Sequence, residues 1–196
     1  MIPRSLLIAV SVLLLGVFGL GFYALHLKRK AEKQADFVRN QPVAPPTNAP
    51  MQKVKLMIAY DEPQGLISKR EVELALPSEP QARALELLRA LVAQYTAPGS
   101  PHRLAEGSGI NDVFLVGRDI AVVNANAALA DGHPSGILVE HLTLSSMART
   151  LAANIPGVTR MKLIIDGAER ETLAGHADLS TLYDVPSTQE QAKDPQ

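Results

Sequence analysis

The sequence predicts an α+β domain: a mixed sheet of about five strands with two helices on one face, in the order β-β-α-β-β-α-β, preceded by a single transmembrane helix. Three observations carry this. Short runs that alternate apolar and polar residues come in pairs around turns. Two longer segments repeat apolar residues at helical spacing and stop at proline or glycine. Leu6–Leu27 is an apolar run with no formal charge between Arg4 and Lys28.

That run is long enough to cross a hydrocarbon core of ~30 Å, which takes ~20 helical residues. Tyr23 and His26 stand where an interfacial belt belongs, and no small-x-small cleavage site follows cleanly, so residues 1–27 read as an uncleaved anchor rather than a signal peptide. Residues 28–52 form a linker. Its first part, Lys28–Asn40, is basic and polar, and Gln41–Pro50 holds four prolines and no charge. The domain occupies residues 53–184, and residues 185–196 are a polar tail expected to be disordered.

Within the domain, Val54, Leu56 and Ile58 alternate with Lys55, Met57 and Ala59, which predicts a strand over Val54–Tyr60. Asp61–Gly65 is a turn, and Leu66–Leu76 is a second strand completing a hairpin. Ser78–Gln81 has the capping-box pattern with Pro80 near the helix start. The helix runs to about Tyr95, with Ala84, Leu88, Leu91, Val92 and Tyr95 on one face. After a Gly- and Pro-rich loop, Asn111–Val116 and Ile120–Asn124 form a second hairpin around Gly117-Arg118-Asp119. A second helix starts near Gly136, its apolar side read as Leu138, His141, Leu142, Ser145, Ala148, Leu151, Ala152 and Ile155, and Pro156-Gly157 ends it. Thr159–Ile165 is the last strand, turned by Asp166-Gly167.

Composition excludes several functions. The chain has no Cys, which removes disulfides, thiolate catalysis, Cys-ligated zinc, iron–sulfur clusters and a lipid-modified cysteine. Aromatics are 4% and Trp is absent, which argues against a base- or sugar-stacking surface. Before Met51 six basic residues face two acids, and from Met51 onward 13 face 18. The domain is therefore mildly acidic and unsuited to a phosphate backbone, so nucleic acid is not an expected partner. There is no phosphate-binding glycine loop, so neither is a nucleotide.

Candidate catalytic chemistry is thin. His176 and Asp178 form an H-x-D pair, but two ligands do not make a metal site, and no H-E-x-x-H accompanies them. His102 and His133 fall in loops, and His141 reads as a core histidine on the apolar side of its helix. Gly107-Ser108-Gly109 lacks the frame of a nucleophile elbow. Glu71 and Glu73 share a strand face, which a solvated surface explains better than a pair of glycosidase carboxylates. No catalytic residue, metal or cofactor is expected.

The ordered segments VKLMIAY, LISKREVELAL, ALELLRALVAQYTAPGS, INDVFLVGRDIAVVNAN and ILVEHLTLSSMARTLAANIPGVTRMKLIIDG, closed by ETLAGHADLS, resemble the GerMN domain over about Lys53–Tyr183. The resemblance places Glu140, Thr150, Leu151, Asp166, Gly167, Gly175, His176 and Asp178 at family-motif positions, with G-H-x-D the most specific. It departs at Asn124, where the family usually carries an acid, and at Ala105-Glu106-Gly107, where a proline often precedes the glycines. It implies a non-catalytic binding or assembly module of the cell envelope with a sporulation- or germination-like role, tethered to the cytoplasmic membrane. The implied partner is an envelope protein or a cell-wall component. The alternative is a tethered cell-wall hydrolase, or accessory domain, using His176 and Asp178. Family members are usually displayed outside the membrane, so the domain is expected on the extracytoplasmic side. Counting Lys28, Arg29, Lys30 and Lys33 after the anchor favours the cytoplasmic side instead.

Overall fold

The computed structural model describes residues 49–63 and 65–185. These fall within one of the two units into which the chain divides, Pro42–Gln196. The expected anchor, most of the linker and the expected tail beyond Val185 lie outside the described residues; Val185 itself donates its amide to Thr159 O at 2.8 Å. Among the described residues no helix is long and apolar enough to cross a membrane.

β1 (Met51–Tyr60) and β2 (Leu66–Ala75) pair antiparallel as the predicted hairpin, and β1 starts two residues before the expected domain boundary at Lys53. Val54, Leu56 and Ile58 turn inward and are buried. Their neighbours Lys53 and Lys55 lie opposite Glu73 and Glu71, so opposite charges face each other across the outer side.

α1 (Pro80–Thr96) buries Ala84, Leu87, Leu88, Leu91, Val92 and Tyr95. Its cap is Glu79, not Ser78. A residue before proline is pushed out of helical geometry, so Glu79 becomes the extended flanking residue. Its carboxylate accepts from the amides of Gln81 at 3.0 Å and Ala82 at 2.5 Å. Those two backbone bonds hold its pKa below the usual carboxylate value.

The remaining strands are β3 (Ile110–Val116), β4 (Ile120–Ala125), β5 (Arg160–Ile165) and β6 (Tyr183–Asp184). They form a second sheet in that order, antiparallel except for the parallel pair β4–β5. The crossover between the parallel strands carries a short helix absent from the sequence prediction, α2 (Ala127–Asp131), and the long α3 (Ile137–Asn154).

The expected single sheet is therefore two. The physical reason is at the free edge of β1. Lys55 N donates to Asn154 Oδ1 at 3.0 Å, and Asn154 Nδ2 returns a bond to Lys55 O at 2.8 Å. Met57 N donates to Thr150 Oγ1 at 3.0 Å, and Ala59 N to Tyr95 Oη at 2.9 Å. Side chains of α1 and α3 thus occupy the positions another strand would take, satisfying backbone groups that cannot be left bare when buried.

α3 also differs from expectation. Instead of one apolar stripe it is buried on most sides through its middle, including Glu140, Thr143, Ser145, Ser146 and Thr150, because it packs against β1, β2, α1 and β6. Two residues assigned to its apolar side are exposed: Leu138, at 51%, and His141, whose Nε2 meets Tyr183 Oη at 3.1 Å.

Replacing Thr150 by Val keeps the shape and leaves the Met57 amide without its acceptor. The expected loss is about 1–3 kcal/mol, the cost of a buried unsatisfied donor, read as a lower melting temperature by circular dichroism. An unchanged melting temperature would mean that water replaces the hydroxyl.

Candidate functional site

Glu140 lies in the first turn of α3 and has no exposed surface. Gly136, the flanking residue, offers no side-chain cap, and Glu140 reaches back to supply one: Oε1 accepts from Gly136 N at 3.1 Å. The other donors come from the closing segment. Oε2 accepts from the amides of Ala174 at 3.1 Å, His176 at 3.0 Å and Ala177 at 2.8 Å. Oε1 also accepts from His176 Nδ1 at 2.9 Å. Three amides can converge on one oxygen because the backbone doubles back at Gly175, where φ is 116°, a conformation side chains resist. Burial alone would raise the carboxyl's pKa, but the bonds from Ala177, His176, Gly136 and Ala174 together outweigh it and hold it at about 2. The result is a buried anion that ties the closing loop to the start of α3.

The other motif residues stand apart from this centre. Asp178 does not turn toward Glu140. It accepts from Ser180 Oγ at 2.6 Å and Ser180 N at 2.7 Å, and these bonds lower its pKa. His176 and Asp178 therefore serve different partners and do not converge. Thr150 seals β1, and Leu151 is fully buried in the core. Asp166 and Gly167 form the turn after β5 in left-handed conformations. Asp166 accepts from Asn111 Nδ2 at 3.2 Å and from Ala127 N, at the start of α2, at 3.1 Å. Gly167 N donates to Asn124 Oδ1 at 2.8 Å, so Asn124, where the family usually carries an acid, acts as a turn acceptor.

A second buried polar centre has no counterpart in the sequence analysis. His102 and His133, 1% and 7% exposed, both reach Thr143 Oγ1 through Nε2 at 2.7 Å. His102 Nδ1 lies 2.5 Å from Asp61 Oδ1, and His133 Nδ1 lies 2.7 Å from Pro134 O. Hydrogen-bond accounting assigns the protons. Pro134 O can only accept, so His133 Nδ1 carries a proton. Burial pushes the His133 pKa down, more than its bond to Pro134 raises it, so the ring is neutral. Its Nε2 then accepts from the Thr143 hydroxyl, which shares its proton with Val139 O at 3.2 Å, and Thr143 in turn accepts from His102 Nε2.

Aspartate, histidine and hydroxyl stand here in the order of a nucleophile triad. Thr143, however, is fully buried inside a helix and gives its proton to a second histidine. What the arrangement does is fasten three loops, around residues 61, 102 and 133, to α3 one turn beyond Glu140. Nothing in spacing signals this: the two histidines lie 41 and 10 residues from Thr143. The one available hint was that Glu140 and Thr143 are three apart and share a helix face.

Among the described residues no group of three or more His, Cys, Asp or Glu is placed to hold a metal ion. An apolar cleft of about 440 Å³, lined by Pro80, Leu115, Arg118, Ile120, Ile155 and Val158 among others, opens beside the C-terminal end of α3, away from Glu140.

Residues 37–171 match the model of the Germane family, described as sporulation and spore germination. That is more than half of the chain, and the chain belongs to this family. No curated protein matches it. Among solved structures it is similar to the first GerMN domain of the sporulation protein GerM from Bacillus subtilis, at 16% identity over 68% of this chain and 96% of that one, with a TM-score of 0.48. It is also similar to the tandem GerMN domains of the same protein, at 14% identity over 67% of this chain and 45% of that one, with a TM-score of 0.49.

Glu140 makes the domain acid-sensitive in a defined window. Its folded pKa lies below the unfolded value of 4.5, at about 2, so the stability it contributes is present above pH 4.5 and lost as pH falls toward 2. The full shift corresponds to roughly 3 kcal/mol. His133 adds an earlier loss below pH 6.5, where the unfolded ring takes a proton that the folded one resists. Urea denaturation at stepped pH should show both, and Glu140→Gln should flatten the lower one. An unflattened low-pH loss would move its origin elsewhere.

His176→Ala removes one donor to Glu140 and should cost about 1 kcal/mol, the usual net worth of a hydrogen bond. Asp178→Ala should cost less, since its bonds are local to an exposed turn. A larger effect at Asp178 than at His176, in the same melting assay, would contradict the separation of the two.

Proposed function

We propose that this protein is a membrane-tethered, non-catalytic module that binds or assembles with another component of the cell envelope, on the outer side of the cytoplasmic membrane. The observation that carries this is the way Glu140 and the G-H-x-D segment are used. Both carboxylate oxygens and the His176 Nδ1 proton bond to each other or to backbone inside the domain. That is the pattern of a fold latch, and it commits the carboxylate and His176 Nδ1 to holding the closing loop. Family membership supports an envelope role linked to sporulation or germination. The run Leu6–Leu27 supplies the tether and the proline-rich segment before Met51 a spacer. The partner is an envelope protein or a cell-wall component.

Protease added to intact spheroplasts should remove the domain, and a C-terminal alkaline phosphatase fusion should be active. Crosslinking from membranes followed by affinity capture should then retain an envelope protein or wall fragment. Protection until lysis would place the domain in the cytoplasm and overturn the localisation. Exposed domain with no captured partner, together with hydrolysis of purified cell wall that is lost in His176→Ala, would overturn the non-catalytic reading.

A further inference from the structure

We infer that the outer edge of β2 is a self-association site, where a second copy of this chain adds its own β2 antiparallel. The inference goes beyond the assembly reading and stands whichever side of the membrane the domain occupies.

Among the described residues the two sheets have four edges, and β2 differs from the others. β1 is sealed by Asn154, Thr150 and Tyr95. β3 is sealed by α1: Arg89 donates to the carbonyls of Ile110 at 3.2 Å and Asn111 at 3.4 Å, and Gln81 Oε1 accepts from Leu115 N at 3.3 Å. β6 is two residues long. β2 is ten residues long, and its outward side follows from parity. The amides of Lys55, Met57 and Ala59 point away from β2, so the even-numbered residues of β1 carry the ladder. Their partners on β2 are also even-numbered, which leaves Ile67, Lys69, Glu71, Glu73 and Ala75 with amide and carbonyl facing outward. Among the described residues no hydrogen bond reaches those groups from beyond the hairpin.

An open edge of this length is a template for another strand. Charged side chains usually guard such an edge by setting like charges against each other. Here the edge carries both signs: Lys69 is followed by Glu71 and Glu73, and Lys69 Nζ lies 3.6 Å from Glu71 Oε1 within its own strand. With Lys69 opposite Glu71 of the second copy, the two-fold axis repeats the pair, and each row reads Lys55, Glu71, then the second copy's Lys69. Opposite charges then face each other across the Lys55–Glu71 junction and across the new one, and the row ends on the second copy's Met57. Residue 70 meets its own copy on the other side of the sheet, where each Arg70 guanidinium is already drawn to Tyr60 Oη at 3.3 Å and Gln94 Oε1 at 3.5 Å.

The full chain contains no cysteine, so introduced cysteines report without background. In this register position 70 faces itself as a non-hydrogen-bonded pair, with Cα atoms ~4.5 Å apart, within disulfide reach. Membranes carrying Arg70→Cys full-length protein, oxidised mildly and run on a non-reducing gel, should give a disulfide dimer. Val72→Cys alone should not, whereas Ser68→Cys and Val72→Cys expressed together should. In the Arg70→Cys background Lys69→Glu should lower the dimer several-fold, and adding Glu71→Lys should restore it. No dimer at Arg70→Cys, equal dimer at all single positions, or no response to the charge swap would overturn the inference. So would a disulfide-independent adduct with a different protein on this edge, which would assign it to a foreign extended segment. Melting curves of the purified variants separate these outcomes from misfolding.

Discussion

A carboxylate removed from water stays ionised only if donors replace the water it has lost. The C-terminal part of this domain is arranged around how Glu140 meets that condition. Five donors close on its two oxygens, one from the start of its own helix and four from residues 174–177. The bond to Gly136 completes a helix start that has no other side-chain cap, and the negative charge sits where the helix dipole favours it. The other four fix a loop that would otherwise hang from the end of β5. One buried charge thus settles both where α3 begins and where the closing segment lies, and it binds them strongly because removing either partner would leave unpaired polar groups in the interior.

The same helix carries two further polar contacts at successive depths. Thr143 holds His102 and His133, and through them the loops at Asp61 and Pro134. Thr150 and Asn154 hold the edge of β1. This explains why α3 is not amphipathic in the ordinary sense. A helix packed on most sides needs polar side chains wherever loop and strand backbone meet it, and the remaining two are also satisfied: Ser145 Oγ bonds to Tyr183 Oη, and Ser146 Oγ donates to Thr143 O at 2.9 Å. It also explains why the hairpin β1–β2 does not merge with the four-stranded sheet: the helix side chains take the hydrogen bonds a joining strand would need.

These arrangements show what the fold does with its motif residues. His176, the sequence's best candidate for metal or acid–base work, is bound to a structural carboxylate, and Asp178 caps its own turn. The triad-like order Asp61, His102, Thr143 ends in a buried hydroxyl. Among the described residues, what lies on the surface is the strand edge of β2 and the sheet face carrying Phe114 and Val116, 47% and 50% exposed. That distribution suits a protein that acts by contact.

The sequence by itself determined the elements whose causes are local. Period-two runs specified the strands, apolar residues at helical spacing specified α1 and the span of α3, and Gly167 marked a turn that needs left-handed backbone. Pro80 even held the information that Glu79 must cap α1, since the restriction acts on the adjacent residue. Tertiary structure alone decided the number of sheets, the exposure of His141 and Leu138, and the meeting of His102, Thr143 and His133. In each of these the partner is a single polar atom, or a packing neighbour, far away in the chain. Periodicity records which face of an element is apolar; it does not record which distant amide, ring or hydroxyl will be the one that a buried polar group must find.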